Sequence, residues 1–108
     1  MLREISAERT LQINGVRLDP DNGQVSGPNG THHLTSMECR LLKVFLRHSG
    51  KVVPRAFLMK SVWETDYLGD TRTLDVHICL LRKKIEQDPR NPQHLMTVRG
   101  VGYRFAPG

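Results

Sequence analysis

The chain has 108 residues, of which 38% are hydrophobic and 25% are charged, and its net charge is +5 at pH 7. This length allows one domain with one hydrophobic core, and the composition excludes a disordered or membrane-spanning protein. Residues 1–6 do not resemble a secretory signal, and Cys39 and Cys79 lack the spacing of a disulfide or metal framework. We therefore expect a single cytoplasmic domain without disulfides.

The first third of the chain is rich in turn signals. Asn-Gly pairs occur at residues 14–15, 22–23 and 29–30, and this dipeptide favours tight turns between strands. The segments between these turns predict a four-stranded antiparallel meander with one face packed on helices. We interpret residues 1–9 as a linker remnant or a first short strand, and residues 10–108 as the domain.

Two helices are predicted next. Thr35 and Glu38 have the spacing of a capping box, so a helix should start there, and Gly50 is a natural stop signal. After a short strand at residues 51–53, Pro54 is suited to the first turn of a second helix that ends near Trp63. Residues 64–70 show no periodicity and predict a loop.

A third helix, over about residues 71–87, should follow a cap at Asp70 or Thr71. At 100° per residue, its buried face consists of Leu74, Ile78, Leu81 and Ile85. The opposite face consists of Arg72, Val76, Cys79 and Lys83, with Thr73 and Leu80 beside them. Such a basic and apolar face suits a DNA groove, where cations meet phosphates or guanine and apolar groups meet thymine methyls. A solvated face whose Val76 and Leu80 touch a neighbouring element explains the pattern equally well.

A glycine-containing hairpin is predicted at the C-terminal end. Residues 95–98 and 103–105 should form its strands, with Gly100 and Gly102 in the turn and Arg99 near the tip. Arg99 is suited to a minor groove or to phosphates, although a surface arginine without a function fits as well. Residues 72–104 contain seven basic and three acidic residues, which places +4 of the net charge in this third. This concentration favours an acidic partner.

The order of these elements and two motifs resemble the winged-helix effector domain of OmpR/PhoB-type response regulators. The motifs are Arg-Thr-Leu-Asp-Val-His-Ile at residues 72–78 with Leu-Arg-Lys-Lys at 81–84, and Thr-Val-Arg-Gly-Val-Gly-Tyr-Arg-Phe at 97–105. Further matches are Leu34, Thr35, Glu38, Leu41, Leu42, Arg55, Val62 and Trp63. The resemblance implies an α+β fold: a winged helix-turn-helix with an N-terminal four-stranded antiparallel sheet, three helices and a C-terminal β-hairpin wing.

The resemblance also implies a function. The domain should bind promoter double-stranded DNA for transcription regulation, with the third helix in the major groove and the wing, about residues 95–106, at the minor groove or backbone. In this family a receiver domain phosphorylated by a histidine kinase promotes dimerisation, so effector domains that are monomeric alone bind tandem repeats. The chain is then either a fragment of a longer regulator or a natural single-domain protein.

Eleven residues are expected to contact DNA, from the helix pattern or from the resemblance. They are Arg72, Thr73, Val76, His77, Cys79, Leu80, Arg82, Lys83, Thr97, Arg99 and Tyr103. Cys79 and Leu80 occupy positions where some family members have basic or polar contact residues. We therefore hypothesise van der Waals recognition by Val76, Cys79 and Leu80, and phosphate anchoring by Arg72, Arg82, Lys83 and Arg99.

The loop before the third helix matches a family surface that contacts RNA polymerase, and its residues are Glu64, Thr65, Asp66, Tyr67 and Leu68. Core packing is favoured for Trp63, whereas Tyr67 fits either role. A winged helix that acts mainly through protein contacts, for example with RNA polymerase, is the alternative function. The five histidines lack the spacing of a metal site, and Gly100 and Gly102 lack the context of a phosphate loop. We expect no enzyme activity, cofactor or metal.

Overall fold

The computed structural model describes residues 10–108, so the interpretation of residues 1–9 lies outside the described part of the chain. The described strands are β1 Leu11–Ile13, β2 Val16–Asp19, β3 Gln24–Gly27, β4 Gly30–His33, β5 Val52–Pro54, β6 Leu95–Val98 and β7 Gly102–Phe105. The described helices are α1 Ser36–Arg47, α2 Arg55–Trp63 and α3 Arg72–Ile85. The predicted α+β architecture is confirmed.

Strands β1 to β4 form the predicted antiparallel meander, in the order β1-β2-β3-β4. Asn14 and Gly15 both have positive φ, 51° and 78°, as the turn between β1 and β2 requires. Val16, Leu18 and Val25 point into the core, while Arg17 faces outward. The sheet therefore covers the helices with one face only, because its side chains alternate between the two faces.

Helix α1 begins with the predicted capping box. The Glu38 N–H donates to Thr35 Oγ1 at 3.2 Å, and the Thr35 N–H donates to Glu38 Oε1 at 2.8 Å. The predicted stop, with Gly50 just after the C-cap, is wrong by one residue, because the helix ends at Arg47 and His48 is its C-cap, which puts Ser49 in that position. Gly50, with φ of 83°, instead turns the chain toward β5, and its N–H donates to the Phe105 carbonyl.

A second sheet has the order β5-β7-β6 and corrects one detail of the predicted hairpin and one of the predicted second helix. Gly102 lies within β7 and pairs with both Val98 and Pro54, so the turn comprises residues 99–101. Pro54 ends β5 and is the N-cap of α2, one residue before the helix. Both details depend on the pairing of β7 with β5, which is distant in the sequence, and with β6. This pairing puts β7 in the centre of the sheet.

The core lies between the meander, the three helices and β7. Its largest fully buried side chains are Phe45 and Phe105, and the ring of Phe45 meets Tyr103 edge to face at a centroid distance of 6.5 Å. The predicted buried face of α3 is confirmed, since Leu74, Ile78, Leu81 and Ile85 are all at most 1% exposed. Within residues 10–108, no helix is long and apolar enough to cross a membrane.

Candidate nucleic-acid interface

The outward side of α3 carries the residues predicted for it. We define the outer strip as Arg72, Val76, Cys79, Leu80 and Lys83. All five are exposed, with 54% of Val76 and 37% of Leu80 accessible. The strip lies on the face of α3 opposite the four buried leucine and isoleucine residues. Because those residues pack on the core, the strip faces the solvent.

Arg72 lies at the first turn of α3 and is oriented by an acidic neighbour. Its Nη2 lies 2.9 Å from Asp70 Oδ2, and Asp70 Oδ1 also accepts from the Arg72 N–H at 3.1 Å. These hydrogen bonds lower the pKa of Asp70 to about 2. The Asp70 carboxylate thus satisfies a free N–H at the helix start, although Thr71 occupies the N-cap position. The Arg72 side chain remains 88% exposed.

Arg55, Asp75 and Tyr103 form a polar cluster that joins α2, α3 and β7. Arg55 Nη1 and Nη2 donate to the two Asp75 oxygens at 2.7 and 3.0 Å, and Nη2 also donates to Thr71 Oγ1 at 2.6 Å. The Tyr103 hydroxyl donates to Asp75 Oδ1. The hydrogen bond from Arg55, which outweighs partial burial, lowers the pKa of Asp75, while burial and the bond to Asp75 raise the pKa of Tyr103.

Arg82 lies between α3 and the wing. Its Nε and Nη2 both donate to the Leu95 carbonyl, at 3.0 and 2.8 Å, and Nη2 also donates to Thr97 Oγ1 at 3.0 Å. Its guanidinium carbon lies 5.7 Å from the centre of the Tyr103 ring. Arg82 thus connects both wing strands to α3, and the Arg55–Asp75–Tyr103 cluster extends the connection to α2.

His77 and Trp63 pack against each other beside the outer strip. The His77 ring donates through Nδ1 to the Thr73 carbonyl at 2.7 Å, and its ring centre lies 5.1 Å from that of Trp63. Trp63 is half-buried and packs on the core, in agreement with the favoured interpretation. His77 is therefore held at the edge of the strip, with only part of its ring exposed.

The wing turn and the loop before α3 are also exposed. Arg99 lies in the turn of residues 99–101 and is exposed, as is Val101 at 47%. In the loop, Tyr67 and Leu68 are 68% and 52% exposed. Glu64 begins this loop in the left-handed conformation, Thr65 Oγ1 accepts from the Tyr67 N–H, and Asp66 pairs with Lys60.

Two buried carboxylates, those of Glu38 and Glu86, hold the C-terminal end of α3. The sequence did not predict this role for either residue. Lys84 Nζ donates to Glu38 Oε1 and to the His33 carbonyl, both at 2.7 Å. Glu86 is 1% exposed and accepts from the backbone N–H groups of residues 93–95 and from His94 Nδ1. The only sequence signal was the capping box, which marks Glu38 as a helix-start residue but not as a partner of Lys84.

Removal of one hydroxyl tests the polar cluster. We expect Tyr103→Phe to lower the free energy of unfolding by about 1–2 kcal/mol, because a hydrogen bond to a carboxylate is lost and one oxygen of Asp75 loses a donor. Urea unfolding followed by circular dichroism measures this. Tyr67→Phe is the matched control and should change stability by less than about 0.5 kcal/mol, since Tyr67 is exposed. Equal effects of the two changes would contradict the contribution of the cluster.

The residues of the chain that the structure describes contain no group of three or more His, Cys, Asp or Glu side chains placed to hold a metal ion. The outer strip exposes cations and apolar groups. Residues 29–105 match the family model described as "Transcriptional regulatory protein, C terminal". The chain belongs to this family. It is a winged-helix DNA-binding domain of the OmpR/PhoB type, and this family is one of transcription regulators, not of enzymes.

Curated relatives of this effector domain agree with the family. The chain is 47% identical over 99 residues to the sensory transduction protein RegX3 of Mycobacterium tuberculosis. The aligned region covers 92% of the chain and 44% of RegX3. It is 44% identical over 95 residues to SphR, the alkaline phosphatase synthesis transcriptional regulatory protein of Synechococcus elongatus, covering 88% of the chain and 37% of SphR. The chain thus spans less than half the length of these relatives.

Solved structures show the same fold. The DNA-binding domain of RstA from Klebsiella pneumoniae, in complex with the RstA box, superposes with a TM-score of 0.80 at 32% identity, covering 93% of this chain and 99% of that one. The DNA-binding domain of CpxR from E. coli superposes with a TM-score of 0.76 at 29% identity, covering 92% and 98%. The predicted resemblance and fold of the effector domain are therefore confirmed.

Proposed function

We propose that the effector domain binds promoter double-stranded DNA with α3 in the major groove and the wing turn at the adjacent minor groove or backbone. The observation that carries this proposal is the outer strip, which presents two cations and three apolar side chains on one exposed face of a helix. A helix of this kind fits the major groove. The RstA domain, a similar structure, was solved with its DNA box.

The contacts of the predicted site residues support a division of roles. Arg72, Lys83 and Arg99 are exposed and suited to bind phosphates. Thr73 is partly exposed on α3, where its carbonyl accepts from the partly exposed ring of His77, and Thr97 is exposed on β6. Arg82 and Tyr103 already have partners within the domain. We propose that these last two residues position the wing and do not anchor phosphates.

Salt dependence tests both the function and this division. The logarithm of the affinity for a selected duplex should fall linearly with the logarithm of salt concentration, by about 0.9 per neutralised phosphate. Lys83→Gln and Arg99→Gln should each reduce this slope by about 0.9, whereas Arg82→Gln should weaken binding with little change in slope. Arg47→Gln removes an exposed cation from α1 and serves as the control, with no change expected.

A salt response that is flat would contradict DNA binding and favour a module that acts through protein contacts. A slope reduced as much by Arg82→Gln as by Lys83→Gln would contradict the positioning role of Arg82. Fluorescence anisotropy at four or more salt concentrations gives the slopes. The control variant separates local phosphate contacts from the effect of net charge alone, since all four substitutions remove one positive charge.

We further propose that the whole regulator contains a receiver domain controlled by a histidine kinase, and that two effector domains, monomeric alone, bind tandem repeats. The support is that the chain spans 44% of RegX3, a sensory transduction protein. The exposed loop of residues 64–68 is suited to contact RNA polymerase, because Tyr67 and Leu68 present apolar surface in the segment that leads into α3. Tyr67→Ala with unchanged DNA affinity and reduced transcription in a purified system would support that contact, and unchanged transcription would oppose it.

A further inference from the structure

The middle of the outer strip has an unusual chemistry for a DNA-recognition surface. Val76, Cys79 and Leu80 are all exposed, and their side chains contain no nitrogen or oxygen atom. They adjoin on the helix face because residues three and four apart are neighbours. Arg72 lies before them and Lys83 after them, so the apolar part is bordered by a cation at each end.

The polar side chains that usually recognise bases are absent from the middle of the outer strip. Bidentate recognition uses arginine or lysine for guanine and asparagine or glutamine for adenine. Helix α3 has no asparagine or glutamine, and its two arginines are Arg72 and Arg82. Arg82 donates to the Leu95 carbonyl and Thr97 Oγ1, and Arg72 pairs with Asp70 at the helix end. Between Arg72 and Lys83 the outer strip is thus left with apolar contact as its means of recognition, and the partly exposed His77 ring lies outside the strip, bonded through Nδ1 to the Thr73 carbonyl.

We propose that Val76, Cys79 and Leu80 recognise the methyl groups of thymine, so that the DNA sites of this domain contain thymines opposite the middle of α3. The proposal rests on the proposed placement of α3 in the major groove. There the C5-methyl group of thymine is the apolar feature of the base edges. Residues 76 to 80 advance about 6 Å along the helix, which matches about two base-pair steps.

Replacement of thymine by uracil in the DNA tests this directly, because it removes only the methyl group. Duplexes are first selected from a random pool with the 108-residue chain, and each thymine of the enriched site is then replaced singly. At the contacted positions we expect the affinity to fall about fourfold per methyl group, and at the other positions we expect no change. The unmodified protein is used throughout this step.

Variants of the strip then assign the contact. In Val76→Ala or Leu80→Ala, the ratio of thymine to uracil affinity should fall toward one at the position that the lost side chain contacted. Lys83→Ala is the matched control on the same face, and it should weaken both duplexes by the same factor and leave the ratio unchanged. Alanine favours a helix, and both apolar positions are exposed, so circular dichroism should show folded variants.

Two results would overturn thymine recognition by these side chains. One is equal affinity for uracil and thymine at every position of the enriched site. The other is an unchanged ratio in the Val76→Ala, Leu80→Ala double variant, which would assign the methyl contact to a different part of the domain. Failure of the chain to enrich any site, or a flat salt response, would instead contradict the proposed function itself, so the two failures are distinguishable.

Discussion

Replacement of Glu86 by alanine should lower the free energy of unfolding by about 4 kcal/mol. The Glu86 carboxylate accepts the backbone N–H groups of Gln93, His94 and Leu95 and a ring nitrogen of His94, and it is 1% exposed. Each buried donor left without a partner costs about 1–3 kcal/mol. Because these groups join the end of α3 to the start of β6, the wing should lose its attachment as well.

Urea unfolding measures the expected loss, and Asp66→Ala is the control. Asp66 pairs with Lys60 at 3.2 Å, but both side chains are largely exposed, so this change should cost less than about 1 kcal/mol. A Glu86→Ala protein as stable as the Asp66→Ala protein would show that the buried carboxylate does not hold this junction.

The same carboxylate predicts a pH dependence. Burial by itself raises the pKa of Glu86, but hydrogen bonds from Leu95, His94 and Gln93 prevail and hold it below its ordinary value of 4.5. The stabilisation is therefore fully present above pH 4.5 and is lost as the pH falls through the lower folded-state pKa. Glu86→Gln should reduce the acid dependence of unfolding between neutral pH and that range. An unchanged acid transition would contradict the assignment.

Gly102→Ala should destabilise the domain by about 3 kcal/mol or more and abolish tight DNA binding. A Cβ atom at Gly102 would lie 2.1 Å from the Val53 carbonyl oxygen and 3.0 Å from the Pro54 Cα. Both neighbours are backbone atoms of β5, so strands β5 and β7 would have to separate. The wing would then lose its fixed position relative to α3.

Gly100 provides the control for this prediction. It lies two residues earlier, has φ of 76°, and has no atom within 4 Å of an added Cβ. Position 100 therefore requires a residue that can adopt a positive φ, but it has room for a side chain. Asparagine tolerates positive φ. Gly100→Asn should therefore cost about 1 kcal/mol or less, measured by thermal or urea unfolding. If both substitutions were equally tolerated, the close approach of β5 and β7 would be refuted.

Local patterns in the sequence were sufficient for much of the fold. The Asn-Gly turns, the capping box of Thr35 and Glu38, and the buried face of α3 all depend on residues within a few positions of one another. Backbone sterics and helical periodicity act at this range, so these predictions are confirmed. The outward position of Val76 and Lys83 follows from the same periodicity.

The sequence by itself therefore determined which residues α3 buries and which it exposes, together with the family motifs of α3 and the wing. Only the tertiary structure decided which of the polar residues are available to a partner. Arg82 and Tyr103 match contact positions in the sequence, yet their side chains are bonded to Thr97 and Asp75. Asp75 and Tyr103 are 28 residues apart, and Tyr103 belongs to β7, which pairs with β6 on one side and with the distant β5 on the other. Hydrogen bonds over such separations depend on how elements pack, and no local periodicity encodes them.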